Sequence, residues 1–368
     1  MENNKKICHV LYSLNFGGIQ KLVYDLTKEQ IVAKDYTPSI LVCKEGGHFS
    51  EKFNKLGTEL FCLRMTRSYI FNIRSLSKIY EIFKNNDLIH FHDFNPIIIL
   101  IAYFLQKKII YTEHGNFAFG RKKRTRDIII LFLRKCYFKF ILDTIVANSD
   151  FTKEYLCDQW KIKEDKIKII HNGIVFDNLS NEKKIDEIRT KYKNKYIIGT
   201  TSRLVGFKRV DRLIKAFQLL TQDQNDSVLL IVGDGTDKSK LEGLVRDNKI
   251  ENVHFLGYKE NVFDYQSSFD LCVFPSQNEP FGLVAVESYS AKKPTIVFRD
   301  GGGLKEIVSI VNEADIVDSI EELVRRIKFY KNKNVKKVDN SKILNYFTAK
   351  RMANEYMNLM LNKGKSVV

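Results

Sequence analysis

The chain is 368 residues long, 44% hydrophobic and 28% charged, a composition typical of a soluble globular protein with room for two domains. The sequence contains no window of about 18 uncharged apolar residues and no N-terminal signal-peptide core, so we expect neither a transmembrane helix nor a signal peptide. Sixty basic against 44 acidic residues leave a net charge of +16, which predicts a negatively charged partner.

The six cysteines are scattered in apolar surroundings and form no Cys-x-x-Cys pair. This distribution predicts reduced structural thiols in a cytosol and argues against a disulfide framework or a zinc site.

In the first half of the chain, short apolar runs alternate with segments of helical periodicity, which predicts a parallel sheet. We expect strands at 6–13, 38–43, 59–63, 87–92, 108–112 and 143–147, the last followed by a helix N-cap at 148–149. Gly17 and Gly18 follow the first strand and precede a helix. A strand, two glycines and a helix in this order are typical of a loop whose backbone binds a phosphate group. A plain tight turn explains the pattern equally well, because the G-x-G-x-x-G motif is absent.

Polar side chains follow two of these strands, at the sheet edge where open α/β sheets bind ligands. His90, His92 and Asp93 end one strand, and His114 lies directly after another, before Gly115. Zinc sites need a third ligand at short spacing and none is present, so we expect no metal and a hydrogen-bonded His90. A lone histidine is usually structural, but the place of His114 favours ligand contact.

Residues 121–140 carry eight basic side chains and one acid. They are either a solvated loop that leads into a buried helix or a cationic amphipathic element that lies on an anionic membrane. Nucleic acid is a third option, but the segment shows neither a stacking platform nor a nucleic-acid motif, so we expect none.

The second half begins after a polar linker at 177–195 and again alternates strands with helices. Arg203 and Lys208 follow the strand at 197–201. The planar guanidinium of Arg203 and the compact ammonium of Lys208 could together neutralise a diphosphate. The alternative is that both are ordinary surface charges, as most Arg and Lys residues are. Gly233 and Asp234 follow the next strand, at 228–232, and Tyr258 follows the strand at 253–257.

Two glutamates, Glu279 and Glu287, flank Pro-Phe-Gly in the stretch that ends the strand at 270–275. We expect a helix from Phe281 onward, with Gly282 allowing a ligand close to the backbone and free N–H groups that bind an anion. The alternative is that neither glutamate binds a ligand: Glu279 would be an ordinary acidic residue in the first turn of the helix, and Glu287 would be a solvated side chain.

This stretch, Glu279-Pro-Phe-Gly-Leu-Val-Ala-Val-Glu287, resembles the Glu-x7-Glu signature of the retaining nucleotide-sugar glycosyltransferases of family 4, which have the GT-B fold. Further similarities are Gly17-Gly18, His92-Asp93, the Val-Gly233-Asp234-Gly turn and a Gly-Gly-x-x-Glu segment near residue 303. The segment around Arg203 and Lys208 resembles a Gly-Arg-Leu-x-x-x-Lys-Gly pattern. Ser202 and Arg209 replace its two glycines, which puts the position of Lys208 in doubt.

The resemblance implies a two-domain α/β fold of two Rossmann-like domains with a donor/acceptor cleft between them. It implies an acceptor-side domain at 1–175, a nucleotide-sugar domain at 176–345, and a helix at 346–368 that crosses back to the first domain.

The resemblance also implies roles for individual residues. Glu287 would bind the ribose, Glu279 the sugar hydroxyls, and Arg203 and Lys208 the diphosphate. His114 would contact the sugar from across the cleft, with the leaving phosphate as a further possible partner. The other residues that it places near the donor are Gly17, Gly18, Gly233, Asp234, Tyr258, Phe281, Gly282 and Leu283.

The expected activity is transfer of a hexosyl or N-acetylhexosaminyl group, with retention, from a nucleotide-sugar, with UDP favoured. The expected acceptor is a lipid-linked glycan in surface polysaccharide biosynthesis, and residues 121–140 would hold the enzyme on the inner face of the plasma membrane. We expect no cofactor and no metal, because no Asp-x-Asp pair is present. The alternatives are a GT-B nucleotide-sugar epimerase and a non-catalytic basic module that binds membrane or nucleic acid.

Overall fold

The computed structural model describes residues 4–15, 17–34, 36–44, 46–65, 73–115, 125–176, 180–222 and 226–361. The chain divides into two compact units. Unit 1 is Met1–Val175 together with Phe347–Val368, and unit 2 is Phe176–Tyr346.

Unit 1 is a parallel sheet with helices on both faces. Its strands are β1 (Lys5–Leu11), β2 (Tyr36–Val42), β3 (Glu59–Cys62), β4 (Leu88–Phe91), β5 (Lys108–Glu113), β6 (Thr144–Ala147) and β7 (Ile167–Ile169). Its helices are α1 (Gly18–Ala33), α2 (Phe49–Lys55), α3 (Ile73–Lys84), α4 (Pro96–Phe104), α5 (Thr125–Phe140) and α6 (Asp150–Trp160), with α15 (Ala349–Leu361) from the end of the chain.

The strands of unit 1 are apolar along their length because both faces of the sheet are covered. The strand order is β3-β2-β1-β4-β5-β6-β7, so the chain changes direction across the sheet between β1 and β4. In β1, Cys8 and Val10 pack on one face of the sheet, and Ile7 packs on the other against Met352 and Tyr356 of α15.

Unit 2 repeats this architecture. Its strands are β8 (Tyr196–Thr201), β9 (Ser227–Val232), β10 (Val253–Gly257), β11 (Leu271–Phe274), β12 (Thr295–Phe298) and β13 (Ile316–Val317). Its helices are α7 (Glu182–Lys191), α8 (Val210–Thr221), α9 (Lys238–Asp247), α10 (Val262–Ser268), α11 (Leu283–Ser290), α12 (Gly303–Val311), α13 (Ile320–Asn332) and α14 (Ser341–Tyr346). The parallel order β10-β9-β8-β11-β12-β13 places the change of direction between β8 and β11.

One expected boundary is wrong. The helix expected from Phe281 begins instead at Leu283, because Gly282 has a φ of 102° and adopts a left-handed, non-helical conformation as its N-cap. The strand therefore leads into a longer turn before the helix starts. Within the described ranges, no helix is long and apolar enough to cross a membrane.

Candidate functional site

In unit 2, the loops that follow β8, β9, β11 and β12 are joined by backbone hydrogen bonds. Leu204 N donates to Asp234 O at 2.9 Å, which ties the first loop to the second. Gln277 N donates to Phe207 O at 2.7 Å, and Gly303 N donates to Glu279 O at 2.8 Å. The loops thus form one surface at the carboxyl ends of the strands, beside the change in strand direction where such sheets bind ligands.

Two glycines allow these loops to pack closely. Gly233 has a φ of 138°, and a Cβ there would lie 1.8 Å from the backbone oxygen of Ser202. Gly282 has a φ of 102°, and a Cβ there would lie 2.4 Å from Cδ2 of Leu304. Both positions exclude a side chain, so these expected donor-contact residues have a structural reason to be glycine.

Lys208 and Glu279, which the sequence predicts to contact different parts of one ligand, form an ion pair. Lys208 Nζ donates to Glu279 Oε2 at 2.5 Å, and both side chains are largely withdrawn from solvent. A nearly buried pair of this kind is costly to break unless another charge replaces the lost partner. A diphosphate group is a suitable replacement partner for the lysine.

Arg203 differs from Lys208, because its side chain is exposed and makes no hydrogen bond or ion pair with any residue that the structure describes. Its guanidinium is therefore available to an anionic ligand. Leu204, the next residue, is fully buried and anchors the loop that presents it.

Arg209 occupies the position where the family pattern has its second glycine. It takes a left-handed conformation, with a φ of 47°, which glycine adopts without cost. Arg209 Nε donates to Asp211 Oδ1 at 3.0 Å. The backbone therefore keeps the glycine-like conformation, and Lys208 lies next to Glu279 despite the substitution.

Helix α11 starts at this surface without a side-chain cap, so its first N–H groups remain available for an anion. Phe281 is buried beneath the turn, and Leu283 is the first helical residue. Glu287 is half-buried one turn further on. Tyr258, after β10, is 54% exposed.

In unit 1, Gly17 is the N-cap of α1 and Gly18 its first residue, and both are exposed. No side chain caps the N-terminus of α1, and the first turn of the helix contains no acidic residue. Asp93 Oδ2 accepts a hydrogen bond from Tyr12 N at 2.8 Å, which ties the loop after β4 to the end of β1. This glycine loop is thus an uncapped helix N-terminus, in agreement with a loop whose backbone binds a phosphate group.

A cluster of histidines lies in the same unit, and the sequence reasoning missed one member. His9 of β1 is paired in register with His90 of β4, and three imidazole nitrogens of His9, His90 and His92 lie within 4.8 Å of one another. No third ligand lies at short spacing in the sequence, because the third histidine, His9, comes from a distant part of the chain. The alternation of side chains along β1 would have predicted a buried position for His9 on the sheet. Only the strand order shows that His9 lies next to His90.

Hydrogen bonds already engage most of these nitrogens. His9 Nε2 is 2.9 Å from Gln30 Oε1, and His9 Nδ1 is 3.1 Å from His92 Nε2. His92 Nδ1 is 3.1 Å from His114 Nε2, and His90 Nε2 is 2.8 Å from Thr112 Oγ1. A metal ion at this cluster would have to displace the bond between His9 and His92.

The histidines are held in the neutral form. Burial lowers the pKa of His9 to about 4, and burial with the nearby Arg134 guanidinium lowers the pKa of His114 to about 3. The pKa values of His90 and His92 are well below the usual value, first through burial and then through the neighbouring imidazoles. Each ring therefore has one N–H donor and one acceptor nitrogen.

The turn that carries His114 is fixed by a buried ion pair. Glu113 pairs with Arg134 of α5, and Gly115 N donates back to Glu113 Oε1 at 2.8 Å. Arg134 also donates to the hydroxyl of Tyr111 at 2.9 Å. The sequence assigns Arg134 to the basic segment that faces a membrane, and that assignment is wrong because the side chain points into unit 1.

The outer face of α5 is apolar. Ile128, Ile129 and Phe132 are 54%, 55% and 65% exposed, and Phe104 of the neighbouring α4 is 77% exposed. Phe138, in contrast, is fully buried, so it cannot contribute to an outward surface as the sequence allowed. The basic residues 121–124 lie outside the described residues. We call the four exposed residues the α4–α5 apolar face.

Comparisons with known proteins cover most of the chain. A family model described as "Glycosyltransferase Family 4" matches residues 16–178, and one described as "Glycosyl transferases group 1" matches residues 181–342.

Among curated relatives, the glycosyltransferase MJ1059 of Methanocaldococcus jannaschii is 27% identical over 256 residues, or 66% of this chain, and the match spans only 62% of MJ1059. An Escherichia coli enzyme, the UDP-Gal:alpha-D-GlcNAc-diphosphoundecaprenol alpha-1,3-galactosyltransferase, is 24% identical over 97% of this chain and 98% of its own length.

Among solved structures, Anabaena Alr3699/HepE in complex with UDP and glucose is similar at a TM-score of 0.77 and 19% identity. That match covers 98% of this chain and 100% of the other. The two parallel sheets and this likeness confirm the expected GT-B fold.

Proposed function

Because this chain belongs to the family 4-type glycosyltransferases, we propose that it transfers a hexosyl or N-acetylhexosaminyl group from a nucleotide-sugar to a glycan acceptor, with retention of configuration. The observation that carries this proposal is the Lys208–Glu279 pair, set among glycine-lined loops at the ligand-binding edge of unit 2. It combines a cation for a diphosphate with a carboxylate for hydroxyl groups in one place.

In the proposed reaction, the donor diphosphate takes the place of Glu279 as the partner of Lys208. Arg203 adds a second positive charge, and the uncapped start of α11 adds backbone N–H donors. These groups are in position before charge develops on the leaving nucleotide, so they stabilise the transition state without reorganising. Once released from Lys208, Glu279 accepts hydrogen bonds from sugar hydroxyls, and Glu287 accepts them from the ribose.

UDP is the favoured nucleotide. The E. coli relative is named for a UDP-Gal donor, and HepE was crystallised with UDP and glucose. No Asp-x-Asp pair is available for a divalent ion, so we propose that Arg203 and Lys208 supply the charge without one.

We propose a lipid-linked acceptor at an anionic membrane. The name of the E. coli relative includes a diphosphoundecaprenol acceptor. The α4–α5 apolar face of this chain is exposed, and its α5 residues follow the cationic residues 121–126 directly in the sequence. Apolar side chains beside a basic cluster are the combination that binds peripheral proteins to anionic lipid.

Thermal unfolding with a panel of UDP-, GDP- and ADP-sugars tests the proposal, because a ligand that binds the folded state stabilises it. A donor at 100 times its Kd adds about 2.7 kcal/mol, and we expect this from a UDP-sugar. The stabilising donor is then incubated with and without a lipid-linked glycan. Donor consumption without acceptor would indicate an epimerase, and no stabilisation by any nucleotide-sugar would indicate a binding module instead.

A further inference from the structure

His114 ends a row of hydrogen bonds that runs through the interior of unit 1. The row passes from Gln30 to His9, from His9 to His92, and from His92 to His114, with separations of 2.9, 3.1 and 3.1 Å. We call these four residues the histidine network. Gln30, His9 and His92 are almost completely buried, so water does not replace these bonds.

The direction of every bond in the network follows from its inner end. In the orientation in which the oxygen of the Gln30 amide faces His9, that oxygen only accepts, so Nε2 of His9 donates to it. A neutral His9 then has a lone pair on Nδ1, which must accept from Nε2–H of His92. By the same step, Nδ1 of His92 accepts from Nε2–H of His114.

At the outer end, this leaves the lone pair of His114 on Nδ1. Among the residues that the structure describes, Nδ1 of His114 has no hydrogen-bond partner. The ion pair of Glu113 with Arg134 and the bond from Gly115 N to Glu113 hold the turn in place. The imidazole is therefore fixed in both its position and its tautomer.

We infer that Gln30, His9 and His92 are positioning residues that set the tautomer of His114, so that its Nδ1 accepts a hydrogen bond from a ligand hydroxyl. This inference rests on the proposed function for the identity of the ligand, a hydroxyl-bearing sugar. In this tautomer Nδ1 cannot donate, so His114 does not contact the leaving phosphate. The network thus restricts His114 to the sugar.

Neutrality of the network supports the inference. A second proton on His9 or His92 would lie on Nδ1 and would face the Nε2–H of the next ring across a 3.1 Å contact. Burial lowers the pKa of His9 and of His114, and Arg134 lowers that of His114 further.

The tautomers are measurable by NMR on full-length protein with 15N-labelled histidine, in the absence of any ligand. Long-range 1H–15N correlations distinguish a protonated ring nitrogen from an unprotonated one. We expect the proton on Nε2 in His9, His92 and His114. A proton on Nδ1 of His114 would overturn the inference without any variant being made.

Two variants test whether the network acts as a unit. Gln30→Met removes the amide acceptor at similar volume, and we expect the tautomer populations of His9, His92 and His114 to change together. Thr112→Val is the matched control, because it removes a buried hydrogen-bond partner of His90 and Tyr356, neither of which belongs to the histidine network. A response to Gln30→Met confined to His9 would contradict the inference, as would an equal response of His114 to Thr112→Val.

A binding measurement separates this inference from the proposed function. Gln30→Met is expected to weaken binding of a UDP-sugar about tenfold, the effect of one hydrogen bond, and to leave UDP binding unchanged. Equal weakening for both ligands would count against a role at the sugar. If neither ligand binds the unmodified protein, the proposed function fails, and the NMR result alone decides the network.

Discussion

Lys208 and Arg203 lie on one loop of unit 2 but differ in what they contact. The ammonium of Lys208 is nearly buried against Glu279, whereas the guanidinium of Arg203 is exposed and makes no hydrogen bond or ion pair with the described residues. Removing Lys208 leaves a carboxylate without this partner in a site of low solvent access, and removing Arg203 leaves nothing unpaired. We therefore expect the two residues to contribute alike to donor binding and differently to stability.

We expect Arg203→Ala to lower turnover about a hundredfold, because loss of one preformed electrostatic donor costs about 3 kcal/mol in the transition state. Its melting temperature should not change. Lys208→Ala should lose turnover to a similar extent and also about 3 kcal/mol of unfolding free energy. Steady-state kinetics and thermal unfolding on the same preparations measure both.

The double variant Lys208→Met with Glu279→Gln is the control for these two effects. It removes both charges, so stability should return while turnover stays low. Near-normal turnover in Arg203→Ala and Lys208→Ala would refute the diphosphate assignment.

Gly233 shows how little space separates the loops. A Cβ at this position would lie 1.8 Å from the backbone oxygen of Ser202, and the φ of 138° is itself unfavourable for any other residue. We expect Gly233→Ala to cost about 2–4 kcal/mol of unfolding free energy and to weaken donor binding. Gly243→Ala, in the interior of α9 with only the end of Arg246 nearby, should instead stabilise the protein by about 1 kcal/mol. Denaturant unfolding of both variants separates these outcomes.

At the scale of elements, the two faces of helix α5 differ in burial: one packs into unit 1 and the other is exposed. Arg134 and Phe138, four residues apart, point into unit 1, while Ile128, Ile129 and Phe132 point outward. The inner face positions the His114 turn through Glu113. A change on one face is therefore not expected to disturb the other.

We expect the outer face of α5 to bind anionic vesicles. Each basic residue near an anionic bilayer contributes about 1 kcal/mol, so changing Arg121, Lys122, Lys123 and Arg124 to Ser should abolish flotation with anionic liposomes. High salt should have the same effect, because screening removes the attraction.

Replacing Ile129 and Phe132 by Ser tests the apolar part and should weaken flotation, whereas Phe329→Ser on α13 is the control and should not. Equal binding to neutral vesicles, or unchanged binding after the four basic residues are replaced, would leave a soluble acceptor as the better interpretation.

At the scale of the whole molecule, the neutral histidines make stability depend on pH. The folded pKa of His9 is about 4, below the usual 6.5, so the unfolded chain binds more protons between these values. Stability is then complete above pH 6.5 and falls as pH decreases towards 4. Each such histidine contributes about 1.4 kcal/mol per pH unit in this window. Denaturant unfolding between pH 7.5 and 5 should show the loss, and a flat profile would contradict the neutral cluster.

We predict that the complete enzyme needs no divalent metal. Arg203, Lys208 and the start of α11 would supply positive charge and N–H donors to the diphosphate, so EDTA should leave turnover unchanged. Activity that EDTA abolishes and Mn²⁺ restores would contradict this prediction.

The sequence by itself determined the elements and the places where loops carry function. Apolar runs and helical periodicity are local properties, because the backbone geometry of a strand or helix repeats within a few residues. The strands before Arg203, Gly233 and His114 were therefore predictable, and the Glu279–Glu287 stretch was recognisable from spacing alone. The start of α11 was missed by two residues, because the left-handed conformation of Gly282 depends on its packing against Leu304.

Only the tertiary structure decided which side chains meet. Lys208 and Glu279 are 71 residues apart, and His9 and His92 are 83 apart. Such pairs depend on the order and register of the strands, and local periodicity does not predict either of them. The burial of Arg134 likewise depends on which face of α5 the sheet covers. The sequence could therefore name the groups that are expected to bind a donor. The pairing of Lys208 with Glu279 and the histidine network arise from strands that are distant in the chain and adjacent in the sheet.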